Sequence, residues 1–221
     1  MTKLTMTVAM RSPRRAVSRE AVRAPWMWVV LFVLAAAGPF WLPAIAEGGA
    51  QDPDAMMEAW MRAGAPGDHH DHLAALSGTW TVRGKIWMAP DAPPIESSGT
   101  MKARMVLGGR YLASQWDTDF QEMQFEGLAM DGWDNLKDRY VGQWWDNMST
   151  QTLLSEGECA EDGKVRTMIT NGIDPMSDEP FETRGVTTMV DADHWTFVSW
   201  RVMPDGTEHK EMEWHGARAS K

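Results

Sequence analysis

From Gly78 to the C-terminus, apolar and polar residues alternate in short runs, as in half-buried β-strands. In the segment GTWTVRGKIWM, four apolar side chains occupy alternate positions, namely Trp80, Val82, Ile86 and Met88. Trp87 falls among polar residues on the other face, so we expect an exposed aromatic there. The alternation continues in GTMKARMVLGG, where Gly108-Gly109 is suited to the positive backbone φ angles of a two-residue hairpin turn. The pattern predicts antiparallel strands.

Eight further runs of this kind follow at regular intervals, separated by turn residues. They are RYLASQWDTDF, MQFEGLAM, RYVGQWWDN, TQTLLSEGE, KVRTMIT, TRGVTTMV, HWTFVSWRVM and TEHKEMEWHGAR. About ten strands joined by short hairpins predict an all-β, antiparallel up-and-down barrel, because closure removes the exposed edge strands. One longer connection, NGIDPMSDEPFE over residues 171–182, has no strand pattern and is predicted to form a rim or lid.

Two short helical patterns precede the strands. Asp52 before Pro53 is typical of a helix start, and the next eleven residues carry an apolar stripe. This stripe consists of Met56, Met57, Trp60 and Met61. Asp68 is placed to cap a second helix from His69 to Leu76, which we expect to lie across one end of the barrel.

The first 46 residues have the layout of a secretory signal peptide. Six basic residues precede the apolar run WMWVVLFVLAAA, and Ala44-Ile45-Ala46 is a typical cleavage site. An uncleaved membrane anchor is the alternative, but the apolar stretch spans only residues 26–42 and contains Gly-Pro, whereas a spanning helix needs about 20 apolar residues. Arg14-Arg15 leaves twin-arginine export open. We therefore expect a signal peptide (1–46), an extension with the first helix (47–67) and a barrel domain (68–221), in a periplasmic or secreted protein.

Composition narrows the classes of partner. Cleavage after Ala46 leaves 15 basic and 30 acidic residues, a net charge of −15, which argues against nucleic acid and anionic membranes as partners. Cys159 is the sole cysteine, so no disulfide forms within the chain. Stability must then come from packing, for which ten tryptophans and fourteen methionines remain after cleavage.

Several short motifs resemble known barrel families. Gly78-Thr79-Trp80 resembles the Gly-x-Trp opening of calycins, which include lipocalins and fatty-acid-binding proteins. That resemblance implies that Arg218, on the last strand, covers Trp80. The segments HDHLAALSGTW, MVLGGRYL and FEGLAMDGWDNLKDRYVGQWWDN, in this order, resemble a bacterial family known as domain of unknown function 1579. The resemblance implies a calycin-like barrel, carries no activity, and rests on signature positions His72, Gly78, Trp80, Gly108, Gly109, Asp146 and Arg218.

The leading functional hypothesis is a barrel that binds a small apolar or amphipathic molecule without catalysis. Strand tryptophans and a few polar groups are the usual lining of such a cavity. The candidate ligand-binding residues are Arg110, Trp116, Tyr140, Gln143 and Trp144. Two alternatives stay open. A barrel filled by its own side chains would act as an interaction module through Trp87, with a protein partner that the sequence does not identify, or the protein would be an enzyme of unknown chemistry.

No metal or other cofactor is predicted. His69 and His72 have a spacing that can bind one ion, and Met57 and Met61 have thioethers that suit cuprous ion, but both pairs also fit a packed helix. Haem is disfavoured because the only histidines near strands are His194, His209 and His215. Asp117 and Asp119 share a strand face but lie next to a turn, and Cys159 is flanked by glutamates, so neither indicates a catalytic site.

Overall fold

The computed structural model describes residues 52–121 and 123–220, and the predicted signal peptide lies outside the described residues. Within this part of the chain, no helix is long and apolar enough to cross a membrane. Two helices, α1 (Pro53–Ala63) and α2 (Asp68–Ala74), precede the strands. The strands are β1 (Gly78–Ile86), β2 (Ile95–Val106), β3 (Tyr111–Phe120), β4 (Met123–Asp134), β5 (Arg139–Asp146), β6 (Leu153–Cys159), β7 (Val165–Ile173), β8 (Pro180–Met189), β9 (His194–Val202) and β10 (Glu208–Arg218).

The ten strands form one closed antiparallel barrel, which confirms the predicted fold class. Each strand pairs with its neighbours in the chain, and β1 closes the barrel by pairing with β10 as well as β2. The alternation of side chains is seen in β1, where Trp80, Val82 and Gly84 are buried and the residues between them are exposed. The period of two in the sequence therefore marks the inside and the outside of the barrel.

The connection between β7 and β8 is shorter than predicted. Residues 171–182 were expected to lack strand structure, but β7 continues to Ile173 and β8 begins at Pro180, and these two residues pair. Proline is tolerated as the first residue of a strand because no neighbouring carbonyl requires its missing N–H. The irregular loop is reduced to residues 174–179.

Helix α1 begins as predicted, with the Asp52 carboxylate accepting a hydrogen bond from the Asp54 N–H at 3.0 Å. All four residues of its apolar stripe are exposed. The end of the helix is held by Asn135, whose side-chain amide donates to the carbonyls of Ala63 and Ala65 at 2.9 Å each. The stripe therefore points away from the barrel core rather than into it.

Helix α2 is capped differently from the expectation. Gly67, not Asp68, is the N-terminal cap, and Nδ1 of His70 accepts the Gly67 N–H at 3.0 Å. A ring nitrogen three residues into the helix thus replaces the predicted carboxylate. Leu73 of this helix is buried against the barrel.

Helix α2 lies at the closed end of the barrel, where β1 begins and β10 ends. Trp80 is completely buried there, and its indole N–H donates to the Leu76 carbonyl at 2.8 Å. Arg218 lies over the Trp80 ring, with its Cζ atom 4.1 Å from the centroid. Its guanidinium also donates to the carbonyls of Ser77 and Ala192 at 2.9 and 2.8 Å, so one side chain connects β10, the β8–β9 turn and the segment between α2 and β1.

Candidate functional site

The barrel interior holds a cavity of about 570 Å³, a volume typical of small-molecule sites. It extends from the layer of side chains above Trp80 to the opposite end of the barrel, which we call the mouth. The longer loops at the mouth are residues 87–94, 147–152, 174–179 and 203–207. The interior is therefore not filled by its own side chains, although Met101, Met168 and Met212 contribute to its walls.

Tryptophans form one side of this cavity. Trp116 on β3 contacts Trp195 on β9 and Trp214 on β10 edge to face, with ring centroids 5.8 and 5.5 Å apart. Trp144 on β5 extends the cluster towards the mouth, 6.1 Å from Trp116 and stacked on Phe125 at 6.2 Å. Edge-to-face contacts fix the orientation of these rings, so the cavity has a rigid aromatic wall.

Glycines on neighbouring strands make room for these rings. Gly216 pairs with Trp195, and a Cβ atom at Gly216 would lie 2.1 Å from the indole. A Cβ atom at Gly127 would likewise lie 2.4 Å from Trp144. The large rings can lie flat along the wall because these positions carry no side chain, which leaves the centre of the barrel open.

Polar side chains also line the cavity. A row of inward-facing residues crosses strands β4 to β8 in direct register, with Asp131 opposite Gly142, Gly142 opposite Ser155, Ser155 opposite Thr170, and Thr170 opposite Thr183. Asp131, Ser155, Thr170 and Thr183 all line the cavity. A guest molecule would therefore meet both aromatic rings and oxygen atoms.

The floor of the cavity contains a charged pair. Nη2 of Arg166, on β7, lies 3.5 Å from Oδ2 of Asp131, on β4, and the two side chains are 13% and 21% exposed. The contact is long for a hydrogen bond. Burial raises the pKa of the Asp131 carboxyl, an effect that the Arg166 guanidinium partly offsets. Nε of Arg166 is buried and has no hydrogen-bond partner in the described part of the chain.

The mouth carries a second arginine whose donors are occupied. Nε of Arg201 donates to Glu211 at 2.5 Å, and its Nη1 lies 3.4 Å from Asp174 at the start of the β7–β8 loop. The same guanidinium lies 4.2 Å from the centre of the Phe181 ring. Across the mouth, the Trp144 indole N–H donates to Asp146 at 2.9 Å. The polar groups at the rim are thus held by short contacts, whereas the ion pair at the floor is longer.

Beyond the floor, at the closed end, the histidines of α2 surround Tyr140. The Tyr140 hydroxyl lies 3.2 Å from Nδ1 of His69 and 3.4 Å from Nδ1 of His72, and the His69 ring stacks on Trp133 at 3.5 Å. Burial raises the pKa of Tyr140, with a further contribution from the neighbouring Cys159 thiol. These histidines therefore bind the helix to the barrel. Within residues 52–121 and 123–220, no three His, Cys, Asp or Glu side chains form a group that could hold a metal ion.

The other histidines lie away from the cavity wall. His194 and His215 are exposed and contact Asp191 and Glu213 at 2.9 and 2.7 Å. His209 pairs with Arg201 near the mouth but is not among the residues that line the cavity. None of the three approaches the aromatic wall in the way that an axial haem ligand would need.

Two of the five predicted ligand-binding residues, Trp116 and Trp144, have side chains that form the cavity wall. Gln143 borders the cavity, but it is exposed and alternates with the inward-facing Gly142 and Trp144. Tyr140 faces inward but lies below the floor.

The structure places Arg110 outside the cavity altogether. This residue is exposed in the β2–β3 turn, where its guanidinium donates to the Leu107 carbonyl at 3.2 Å. The turn is at the closed end of the barrel, so the side chain cannot reach the mouth or the cavity. Arg166 and Arg201 are the basic residues that line the cavity instead.

The charged pair on the floor was missed. A signal for it exists in the sequence, because Asp131 occupies the inward register of β4 together with Phe125, Gly127, Ala129 and Trp133. Arg166 shares the inward register of β7 with Met168. A charged residue in an otherwise apolar register is a candidate for a buried functional group.

Cys159 is half-buried beside Tyr140, at the end of β6. Burial is the largest cause of the raised pKa of its thiol. A raised thiol pKa reduces the thiolate fraction, so this cysteine is a poor nucleophile.

Comparison with known proteins identifies one family and supports the fold. A family described as protein of unknown function (DUF1579) matches residues 65–218. The crystal structure of Rv2717c from M. tuberculosis is similar with a TM-score of 0.54 and 13% identity, covering 71% of this chain and all of that one. A redesigned β-barrel matches with a TM-score of 0.31 and 11% identity, over 67% of this chain and 96% of its own. No curated protein matches the sequence.

Proposed function

The chain belongs to the DUF1579 family, and we propose that this member is an exported barrel that binds a small, largely apolar molecule in its interior. The observation that carries the proposal is the cavity of about 570 Å³, which is lined by a cluster of tryptophans and by a row of polar side chains. Apolar walls with a few oriented polar groups are the general design of sites for small organic molecules.

The loss of stability that an empty cavity causes supports a binding role over a purely structural role. Empty apolar volume lowers stability, since each missing side chain forgoes dispersion contacts and apolar burial. The same barrel packs Trp80 and Val82 to complete burial at its closed end, so the chain is able to fill its interior. An open interior beside a tightly packed end is expected when the space serves a guest.

The alternative of an interaction module was motivated by an exposed Trp87. In the structure Trp87 is half-buried at the edge of the cavity, and the Lys210 amine lies 4.7 Å from the centre of its ring. Its indole is covered by a residue of its own chain. Trp87, which favoured a partner surface, therefore belongs to the rim of the ligand cavity instead.

Export is proposed from the sequence of the first 46 residues. A basic segment, an apolar run and the small residues at 44–46 support a cleavable signal peptide. The test is cell fractionation of the natural host followed by intact mass measurement. A periplasmic or secreted protein that starts at Glu47 is expected, whereas a cytoplasmic protein with the full N-terminus would contradict export.

Binding is tested by native mass spectrometry of the protein purified from its own host, followed by extraction and identification of any bound molecule. The same protein is then titrated with 2-ethylnaphthalene, an apolar ring probe, while tryptophan emission is recorded. Because five tryptophans line the cavity, occupancy is expected to change the emission. The expected result is saturable binding of one molecule per chain.

A matched pair of variants locates the binding. Thr170 faces the cavity and the next residue, Asn171, is exposed on the outside of β7. Thr170→Trp fills the lumen and is expected to abolish binding, whereas Asn171→Trp adds the same ring outside and is expected to leave it unchanged. Equal binding by both variants would contradict a guest in the interior.

A further inference from the structure

The floor of the cavity contains donor groups that the protein itself leaves without acceptors. Arg166 is 87% buried by the exposure of its side chain, and its Nε atom has no partner among the described residues. Its contact with Asp131, at 3.5 Å, is an ion pair at the outer limit of hydrogen bonding. Buried guanidinium groups normally satisfy several of their five N–H donors. An unsatisfied guanidinium at the edge of a cavity can donate a hydrogen bond to an oxygen atom of a guest.

Polar groups on neighbouring strands line the cavity together with Arg166. The side chains of Asp131 and Ser155 both lie over Gly142, since a Cβ atom there would be 2.8 Å from Asp131 Oδ1 and 2.5 Å from Ser155 Oγ. The glycine thus gives both polar groups room at the cavity wall, and Asp131 is also in contact with Arg166. Because Arg166 and Ser155 both line the cavity, it offers a guanidinium donor and a hydroxyl donor to a guest.

The charge of the lining limits the guest to an uncharged molecule. Four acidic residues line the cavity, Asp119, Asp131, Asp146 and Glu211, against two basic residues, Arg166 and Arg201. An anionic guest would enter a site with excess negative charge, and a cationic head group at the floor would face Arg166. A neutral acceptor meets neither cost in a low-dielectric interior.

We propose that the guest is an uncharged ring compound with a carbonyl group, such as a ketone, ester or quinone, which accepts hydrogen bonds from Arg166 at the floor while its rings lie along Trp116 and Trp144. This inference deepens the proposed function and depends on it. It also fixes the orientation of the guest, with the carbonyl towards the closed end and the apolar body towards the mouth.

The test uses four probes that share one ring system. They are 2-acetylnaphthalene, 2-ethylnaphthalene, 2-naphthoate and 2-naphthylmethylammonium, titrated separately into the wild-type protein by calorimetry. A hydrogen bond to a charged donor predicts that the ketone binds about ten- to a hundredfold more tightly than 2-ethylnaphthalene, because the two differ mainly in the acceptor oxygen. The two charged probes are expected to bind more weakly than the ketone.

Variants test whether the preference for the ketone depends on the charged pair at the floor of the cavity. Replacing Arg166 alone would leave Asp131 unpaired, so the informative variant is Arg166→Met combined with Asp131→Asn, which removes both charges together. In this variant the ketone is expected to bind no more tightly than 2-ethylnaphthalene. The control is Arg184→Met combined with Glu208→Gln, which likewise removes an arginine–carboxylate ion pair, but one whose two residues do not line the cavity. Its ketone preference is expected to persist.

The outcomes separate the two proposals. If 2-ethylnaphthalene binds in the cavity but the ketone has no advantage, or keeps its advantage without Arg166, the carbonyl inference is overturned and the binding function stands. Tightest binding of the carboxylate or the amine also overturns the inference. If none of the four probes binds and the protein carries no guest from its host, the binding function itself fails.

Discussion

The closed end and the mouth of this barrel are built from the same ten strands, yet their side chains differ in how completely they fill the interior. At the closed end Trp80 and Tyr140 are at most 1% exposed, and α2 covers them. Towards the mouth, Trp144, Phe125 and Phe181 are only half-buried and border the cavity. The backbone is continuous between the two, so the difference comes from side-chain size and placement rather than from strand geometry.

This contrast separates stability from function along the barrel axis. The closed end combines complete apolar burial with the cation–π contact and backbone hydrogen bonds of Arg218. The open half keeps polar groups inside without giving each of them a partner, as at Arg166. We expect substitutions at the closed end to act mainly on the free energy of unfolding, and substitutions in the open half to act mainly on ligand affinity.

Truncation of a tryptophan at each end gives the largest expected effect. Trp80→Ala removes a fully buried ring and its hydrogen bond, and we expect a loss of about 3–5 kcal/mol in the free energy of unfolding. Trp144→Ala removes a half-buried ring that borders the cavity, so its loss should be clearly smaller. Urea unfolding followed by circular dichroism measures both. Equal losses would contradict the division between the two ends.

A single methyl group tests whether the glycines make room for the aromatic wall. Gly216→Ala places a Cβ atom 2.1 Å from the Trp195 indole, and overpacking of this kind costs about 1–3 kcal/mol. Gly67→Ala is the control, because a Cβ atom there has no neighbour within 4 Å and the backbone φ angle is −153°. Unfolding midpoints in urea should fall clearly for the first variant and only slightly for the second, where alanine replaces glycine as the N-cap of α2.

The order and number of the strands could be predicted because alternation is a local property of the sequence. Each run such as GTWTVRGKIWM contains its own evidence for an inside and an outside. The depth of a residue along the barrel axis is not local. Tyr140 faces inward as a lining residue should, but it lies at the start of β5, which the barrel places beneath the floor.

The charged pair shows a second limit of sequence reasoning. Asp131 and Arg166 are 35 positions apart, and β5 and β6 lie between their two strands. The two side chains meet because the stagger of these strands brings them to the same depth in the barrel. Either residue alone resembles a turn-proximal charge in an acidic chain. The lining of the cavity could not be predicted for the same reason. Several strands are apolar on both faces, and only the pairing of the strands in the closed barrel shows which tryptophans point inward.

Acidification should weaken the attachment of α2 to the closed end. Burial lowers the pKa of His70 below its ordinary value of 6.5, and its neutral ring accepts the Gly67 N–H. A lowered folded-state pKa contributes stability that is present above about pH 6.5 and lost as the pH falls through the folded value. His70→Gln keeps an acceptor but does not titrate.

Unfolding midpoints at pH 7.5 and 5 test this contribution. Wild type is expected to lose more stability than His70→Gln over this interval, by an amount below that of Gly216→Ala. If wild type and His70→Gln respond equally to acid, the buried ring does not carry the effect.

The smallest effect is expected at the floor of the cavity, where the sign of the pH dependence is reversed. Burial raises the folded-state pKa of Asp131 above its ordinary 3.8, with Arg166 partly offsetting the rise. A raised pKa means that this carboxyl contributes its stability below that ordinary value and loses it as the pH rises through the folded value. The unfolding free energy of Asp131→Asn should therefore increase relative to wild type as the pH is raised from 3.5 to 7. The control is Asp117→Asn, on the exposed face of β3, which should follow wild type throughout. A constant difference between Asp131→Asn and wild type would show that Asp131 is as well solvated in the cavity as in the unfolded chain.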